Sequence, residues 1–370
     1  MAMTGTHDRS TVDPALRVTG RGALGNAAGR HERHATFFED DGWPGGDTSP
    51  TRPVLRTRTD PETPRSIITY NRSPDLPFDR SVNPYRGCEH GCIYCFARPT
   101  HAWLGLSAGL DFETRLIARP KAPEVLSAEL RRRGYAPRPI AIGTNTDPYQ
   151  PIEREHGITR ACLGVLRDFG HPVAIVTKGT LIERDIGLLA DMADRGLARV
   201  GISITTLDPD LSRRLEPRAP RPERRLETVR KLSEAGVPVR IMTSPLIPGL
   251  TDHEIEALLA AGKMAGAAAA SWIILRLPLE VAPLFREWLQ ANCPDRAGRI
   301  MGLVRDMHGG NDYDAQWHRR MRGDGPYARM IARRFQRAAR QHGLDRTLPP
   351  LRCDLFAPPP RIGDQLTFLE

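Results

Sequence analysis

Six short apolar runs, rich in β-branched residues and each trailed by a stretch of helical character, most limit what this 370-residue chain can fold into. They occupy residues 81–83, 139–143, 172–177, 199–205, 238–243 and 271–277. Amphipathic stretches lie between them, such as residues 158–169, 181–195 and 252–264. Residues 222–236 begin with a proline and end with a glycine. That is the asymmetry of a helix: proline needs no N–H partner in the first turn, and glycine takes the left-handed closing conformation. Repeated strand–helix units imply a parallel sheet covered on its faces, hence an α/β fold. Alternation alone leaves an open sheet and a partial barrel as alternatives.

Directly after the first run, Cys88, Cys92 and Cys95 place half of the chain's six cysteines within eight residues. Soft sulfur ligands gathered this tightly suit zinc or an iron–sulfur cluster. Three thiolates do not complete a structural zinc tetrahedron. A four-iron cluster can be held through three of its irons, with the fourth open to bind something from solution. Gly87 and Gly91 let so short a loop curl. Zinc completed by His90 or His101 is the alternative, together with a trio of buried thiols.

In a parallel βα fold the carboxyl ends of the strands face the site. After the second run come Thr144, Asn145, Thr146 and Asp147, offering hydroxyls, an amide and a carboxylate suited to an amino or ribose group, although the same sequence also makes a good turn. After the third comes Lys178, one of four lysines, whose ammonium can hold a carboxylate. Ser203 and Thr205 share one face of the fourth run. Thr251 or Asp252 caps a helix after the fifth, and Arg276 and Glu280 flank the end of the sixth, as substrate contacts or as an ion pair.

The cysteine loop with its flanks, Asn83-Pro84-Tyr85-Arg86-Gly87-Cys88 through Cys95-Phe96-Ala97-Arg98, and the run Thr146-Asp147-Pro148-Tyr149-Gln150-Pro151 resemble the spore photoproduct lyase-like branch of the radical S-adenosylmethionine (SAM) superfamily. The resemblance covers roughly residues 66–290. It implies a partial (β/α)6 barrel and a [4Fe-4S] cluster on Cys88, Cys92 and Cys95, whose open iron is chelated by SAM. It further implies Tyr94 near the adenine, with Lys178 and Ser203 as cofactor contacts. Beside them, Thr144, Asn145, Asp147 and Thr205 are candidates from their strand-end positions. The implied activity is reductive cleavage of SAM to a 5′-deoxyadenosyl radical that takes a hydrogen atom from a substrate, with an electron donor such as flavodoxin or ferredoxin. One departure matters. True photoproduct lyases carry a further cysteine after the second strand, where this chain reads Gly143-Thr144-Asn145-Thr146. Cys162, among Leu163, Val165 and Leu166, reads as a core residue. Substrate and catalytic residues beyond the cofactors stay open between DNA, RNA, a peptide and a small metabolite.

A 40% hydrophobic composition supports one large core with appendages. The expected division is a loosely ordered extension over 1–65, in which Phe37, Phe38 and Trp43 are docking aromatics, a core barrel over 66–290 and an arginine-rich helical region over 291–370. In the last, a helix opens at Gly325-Pro326 with Tyr327, Met330, Ile331, Phe335 and Ala338 on one side and Arg329, Arg333, Arg337 and Arg340 on the other. Residues 307–312 read as a mobile loop able to act as a lid. A net charge of +9 permits a nucleic acid substrate. The absence of a membrane-length apolar run, of a signal-peptide pattern and of a disulfide framework points to the cytoplasm and to no membrane partner. A zinc-stapled nucleic-acid-binding protein without catalysis is the competing function.

Overall fold

A seven-stranded sheet organises the computed structural model, which describes residues 20–31 and 55–360. Six of its strands lie parallel in sequence order: β1 (Arg80–Val82), β2 (Ile140–Ile142), β3 (Val173–Thr177), β4 (Ala198–Ser203), β5 (Val239–Leu246) and β6 (Ala269–Ile274). Ile68–Tyr70 adds an antiparallel strand beside β1. Parallel neighbours need crossover connections, and helices supply them. They are α1 (Ala122–Leu130), α2 (Ile158–Asp168), α3 (Ile186–Asp194), α4 (Pro222–Glu234) and α5 (Ile255–Met264). The result is the partial (β/α)6 barrel.

Each expected apolar run overlaps one of these strands, the ends differing by at most three residues. Ile140, Ile142, Val173, Ile175, Val200, Ile202, Val239 and Ile241 are buried in them, and the helices cover the sheet with Leu163 and Leu166, Leu189 and Met192, Val229 and Leu232, and Leu258 and Leu259. Burial of each such side chain contributes about 1.5–3 kcal/mol. Cys162 lies in the same core. Thr205, expected inside the fourth strand, lies just beyond its end.

After β6 come α6 (Val281–Asn292), α7 (Pro294–Met307) and α8 (Gly325–Gln341). Helix α8 buries Ile331, Phe335 and Ala338, and exposes Arg329, Arg333, Arg337 and Arg340. Arg334 holds Glu256 of α5 at 2.6 Å, and the Tyr327 hydroxyl donates to Asp252 Oδ2 at 2.5 Å. The chain then passes under the sheet. Ala270 N–H donates to Leu344 O, Arg352 N–H to Gly196 O and Ala357 N–H to Phe169 O. Phe169 and Gly196 precede β3 and β4, so this tail closes the amino-terminal end of the barrel, opposite the strand ends that carry the candidate site.

Two parts of the 1–65 stretch carry structure that their composition did not announce. Arg58–Pro61 is a strand, paired with Arg115–Ala118, whose other edge takes Tyr85–Arg86. Residues 20–31 pack on the body: Arg21 is buried, and the N–H groups of Gly22 and Ala23 donate to the Glu113 carboxylate at 2.9 Å each. Both segments owe their order to partners distant in sequence, which local periodicity cannot register. Phe37, Phe38 and Trp43 lie outside the described residues. Among the described residues no helix is long and apolar enough to cross a membrane.

Candidate cofactor site at the mouth of the barrel

The loop bearing Cys88, Cys92 and Cys95 leaves the carboxyl end of β1. Gly87 has φ +76°, and a Cβ there would sit 2.6 Å from Leu116 and 2.8 Å from Phe112 O, so only glycine fits. Two side-chain hubs hold the loop's backbone. From one side, Gln150 Oε1 accepts from Glu89 N–H at 2.8 Å, while Gln150 Nε2 donates to Thr146 Oγ1 at 2.9 Å and Thr146 Oγ1 donates to Gly87 O at 2.6 Å. From the other, the fully buried Arg98 donates to Cys92 O (2.9 Å), Ala108 O (3.0 Å), Gly109 O (2.9 Å), Gly91 O (3.1 Å) and Glu113 Oε1 (2.5 Å). A planar guanidinium can serve so many acceptors at once; an ammonium cannot.

All three cysteines are free; Cys88 and Cys92 are buried and Cys95 is partly so. Burial pushes each thiol up from its ordinary range, and the neighbouring thiols add to this at Cys88 and Cys92. The three sulfurs lie on one short loop in a site whose burial disfavours thiolate, and a bound cation there would hold them ionised. This donor set fits a cluster held through three thiolates. For zinc, three thiolates leave the tetrahedron incomplete, and the two histidines that could complete it have neighbours of their own. His90 Nδ1 stands 3.3 Å from Asp147 Oδ2, at ion-pair distance without hydrogen-bond alignment, and His101 Nε2 bonds Arg115 O at 2.9 Å. Among the described residues no three His, Cys, Asp or Glu side chains gather tightly enough for a single metal ion.

Beside the thiols, three of the residues expected from strand ends, Lys178, Ser203 and Thr205, meet Tyr94 of the cysteine loop in one network. Lys178 Nζ donates to Ser203 Oγ at 2.7 Å and lies 5.7 Å from the centre of the Tyr94 ring. The Tyr94 hydroxyl meets Thr205 Oγ1 at 3.0 Å. At the centre of the network is a residue that strand-end reasoning missed. Glu216 accepts from the Tyr94 hydroxyl and from Arg225 Nη2, takes Thr205 Oγ1 at 2.7 Å, and stands 3.4 Å from Lys178 Nζ. Burial alone would raise its pKa, but Arg225 and then Lys178 outweigh burial and leave the carboxyl well below its usual range. Arg225 offered a signal: it shares the helical stripe of Thr228, Val229 and Leu232, where a charge demands a partner.

The run after β2 sits differently. Asp147 Oδ1 accepts from Thr177 Oγ1 (2.5 Å) and Tyr149 N–H (2.9 Å), and Oδ2 accepts from Lys178 N–H (2.7 Å), so the carboxylate stitches β2 to β3 beneath the thiols. Contacts from His90 and these donors hold its pKa down at about 2 against the effect of burial. Thr144 Oγ1 and Asn145 N–H both donate to Asn83 Oδ1, at 3.3 and 3.1 Å, with Asn145 exposed at the rim. Of the last pair expected at the mouth, Glu280 is taken by Arg30 at 2.7 Å, and Arg276 is not its partner.

Fold and site together define a radical SAM barrel. The chain belongs to the Radical SAM superfamily, whose signature matches residues 82–261. An uncharacterized protein of Mycobacterium tuberculosis is 38% identical over 232 residues, which cover 62% of this chain and 68% of that one. An uncharacterized protein of Methanocaldococcus jannaschii is 27% identical over 173 residues, covering 47% of this chain and 62% of the relative. Among solved structures, spore photoproduct lyase complexed with dinucleoside spore photoproduct shares the fold with a TM-score of 0.51 at 14% identity, over 77% of this chain and 79% of that one. The superfamily works with a [4Fe-4S] cluster and SAM, and this chain is an enzyme of that class.

Proposed function

We propose that Cys88, Cys92 and Cys95 ligate the [4Fe-4S] cluster, and that Tyr94, Lys178, Ser203 and Thr205, with Thr144, Asn145 and Asp147 at the adjoining strand end, bind SAM. The observation that carries this is the convergence of three free thiols with the network of Lys178, Ser203, Thr205 and Tyr94 at one end of a parallel barrel. When bound, the two cofactors supply a 5′-deoxyadenosyl radical that takes a hydrogen atom from the substrate. The chain's own part is to bind, orient and exclude water. Lys178 offers an ammonium to a carboxylate, Ser203 and Thr205 offer hydroxyls to a ribose, and the Tyr94 ring offers a face to a base. Asp147, through the N–H of Lys178 and the hydroxyl of Thr177, fixes where that ammonium starts.

In this reading residues 66–290 carry the chemistry and 291–370 a helical region beside it. The substrate is a nucleic acid, a class that the charge of +9 and the exposed arginines of α8 favour. The electron donor is a flavodoxin or ferredoxin, and the compartment is the cytoplasm, where thiolates stay reduced. Metal analysis of anaerobically purified protein tests the site. About four irons with acid-labile sulfide per chain are expected, whereas one colourless zinc would contradict the assignment.

A further inference from the structure

A second group of polar side chains lies at the same mouth, where β6 ends and the chain following α7 crosses it. The guanidinium carbon of Arg276 is 4.7 Å from the centre of the Phe96 ring and 5.9 Å from that of Tyr313, so the cation is held between two aromatic rings. Its hydrogen bonds are long and go to neutral acceptors: Nη2 to the Tyr313 hydroxyl at 3.3 Å, Nη1 to Met321 Sδ at 3.6 Å. Among the described residues no Asp or Glu pairs with it. The nearby carboxylates are otherwise engaged. Asp312 lies 3.0 Å from Arg286 and 2.7 Å from Arg305, and Asp314 lies 3.6 Å from Arg319.

His308 is only 2% exposed and its ring centre is 6.0 Å from that of Tyr313. Neither ring nitrogen makes a well-aligned hydrogen bond, and among the described residues the backbone of Leu275 is the one group that acts on the imidazole as a hydrogen-bond partner. Among the described residues seven buried side-chain nitrogen or oxygen atoms lack a well-aligned partner, and three of them are here: Arg276 Nε, His308 Nδ1 and His308 Nε2. An unsatisfied buried polar atom costs about 1–3 kcal/mol, so three at one point mark groups arranged for something they bind. The carrier is fixed in place. The segment over residues 308–313 is held to Arg286 and Arg305 through Asp312, and Gly310 N–H donates to Arg305 O at 2.8 Å. Phe96 directly follows Cys95, which sets the unpaired cation beside the thiol loop.

We propose that Arg276, His308 and Tyr313 form a subsite for an oxyanion of the substrate, a phosphate or a carboxylate. A guanidinium fork pre-oriented by two rings, with a hydroxyl and an imidazole beside it, is a donor set for such a group. Calling the bound molecule the substrate rests on the radical reading; the anion site itself does not.

Calorimetric titration of the cluster-loaded protein with inorganic phosphate, and separately with acetate, tests this. Binding of either anion that weakens at least about tenfold in Arg276→Gln, as expected for loss of a charged hydrogen-bond partner, and holds in the surface variant Arg230→Gln supports the site. The tighter of the two anions identifies the source. In the wild-type protein, phenylglyoxal labelling of Arg276 followed by mass spectrometry gives a readout independent of any variant's folding, and the preferred anion should protect that residue. Equal affinity in Arg276→Gln, no binding of either anion, or labelling of Arg276 that neither anion slows overturns the subsite. Cleavage of SAM that persists in Cys92→Ala overturns the radical reading instead, and the titrations still decide the anion site.

Discussion

Arg98 shows how much of the candidate site rests on one side chain. Its five hydrogen bonds reach both sides of the loop and end on Glu113, which in turn receives Gly22 and Ala23 from the N-terminal segment. Replacing it by methionine keeps the bulk but leaves the buried Glu113 without its ion-pair partner, with only the N–H groups of Gly22 and Ala23 on its carboxylate. The expected cost is about 3–5 kcal/mol, read by denaturant unfolding, together with much reduced iron after reconstitution. Full iron loading of Arg98→Met would show that the loop holds itself. A second residue-scale consequence lies at the closed end of the barrel. His171 is fully buried, bonded to the Tyr135 hydroxyl at 2.8 Å, and burial lowers its pKa from 6.5 to about 4. Between those values the unfolded chain takes up a proton that the folded imidazole refuses. Stability therefore falls as pH drops from about 6.5 toward 4, by about 3 kcal/mol at the lower end. Unfolding curves across that range should be flatter with pH in His171→Gln; an unchanged slope would refute the assignment.

At the scale of elements, the run after β2 acts mainly as a clamp on the cysteine loop. Gln150→Leu removes the acceptor for Glu89 N–H and the donor to Thr146, at an expected cost of about 1–3 kcal/mol and with faster loss of iron to a chelator. Iron retention equal to wild type would count against the clamp. Here the limits of sequence reading are plain. The six strands were legible because β-branched runs bounded by turn residues announce buried parallel strands, and the strand ends then put Lys178, Ser203 and Thr205 on one side. Glu216 was not legible. It follows the short helix Pro209–Leu215, away from any strand end, and only the fold carries it to Tyr94 and Lys178. For the same reason the use of Asp147 could not be foreseen, since its three bonded donors come from Thr177, Tyr149 and Lys178.

Across the whole molecule the two ends of the barrel do different work. The thiols and the polar network occupy the carboxyl ends of the strands, while the C-terminal tail seals the amino ends with Phe356, whose ring centre lies 5.5 Å from Tyr135, 5.6 Å from His171 and 6.3 Å from Phe169. Phe356→Ala should lower stability by about 2 kcal/mol, as expected for truncating a half-buried aromatic, without altering iron content. The central claim is that three thiolates on one loop make this barrel a radical enzyme, and SAM cleavage tests it most directly. With a chemical reductant, reconstituted wild-type protein should release methionine and 5′-deoxyadenosine, while Cys92→Ala treated identically should lose both the brown colour and the cleavage. Cleavage at the wild-type rate in Cys92→Ala would contradict the account.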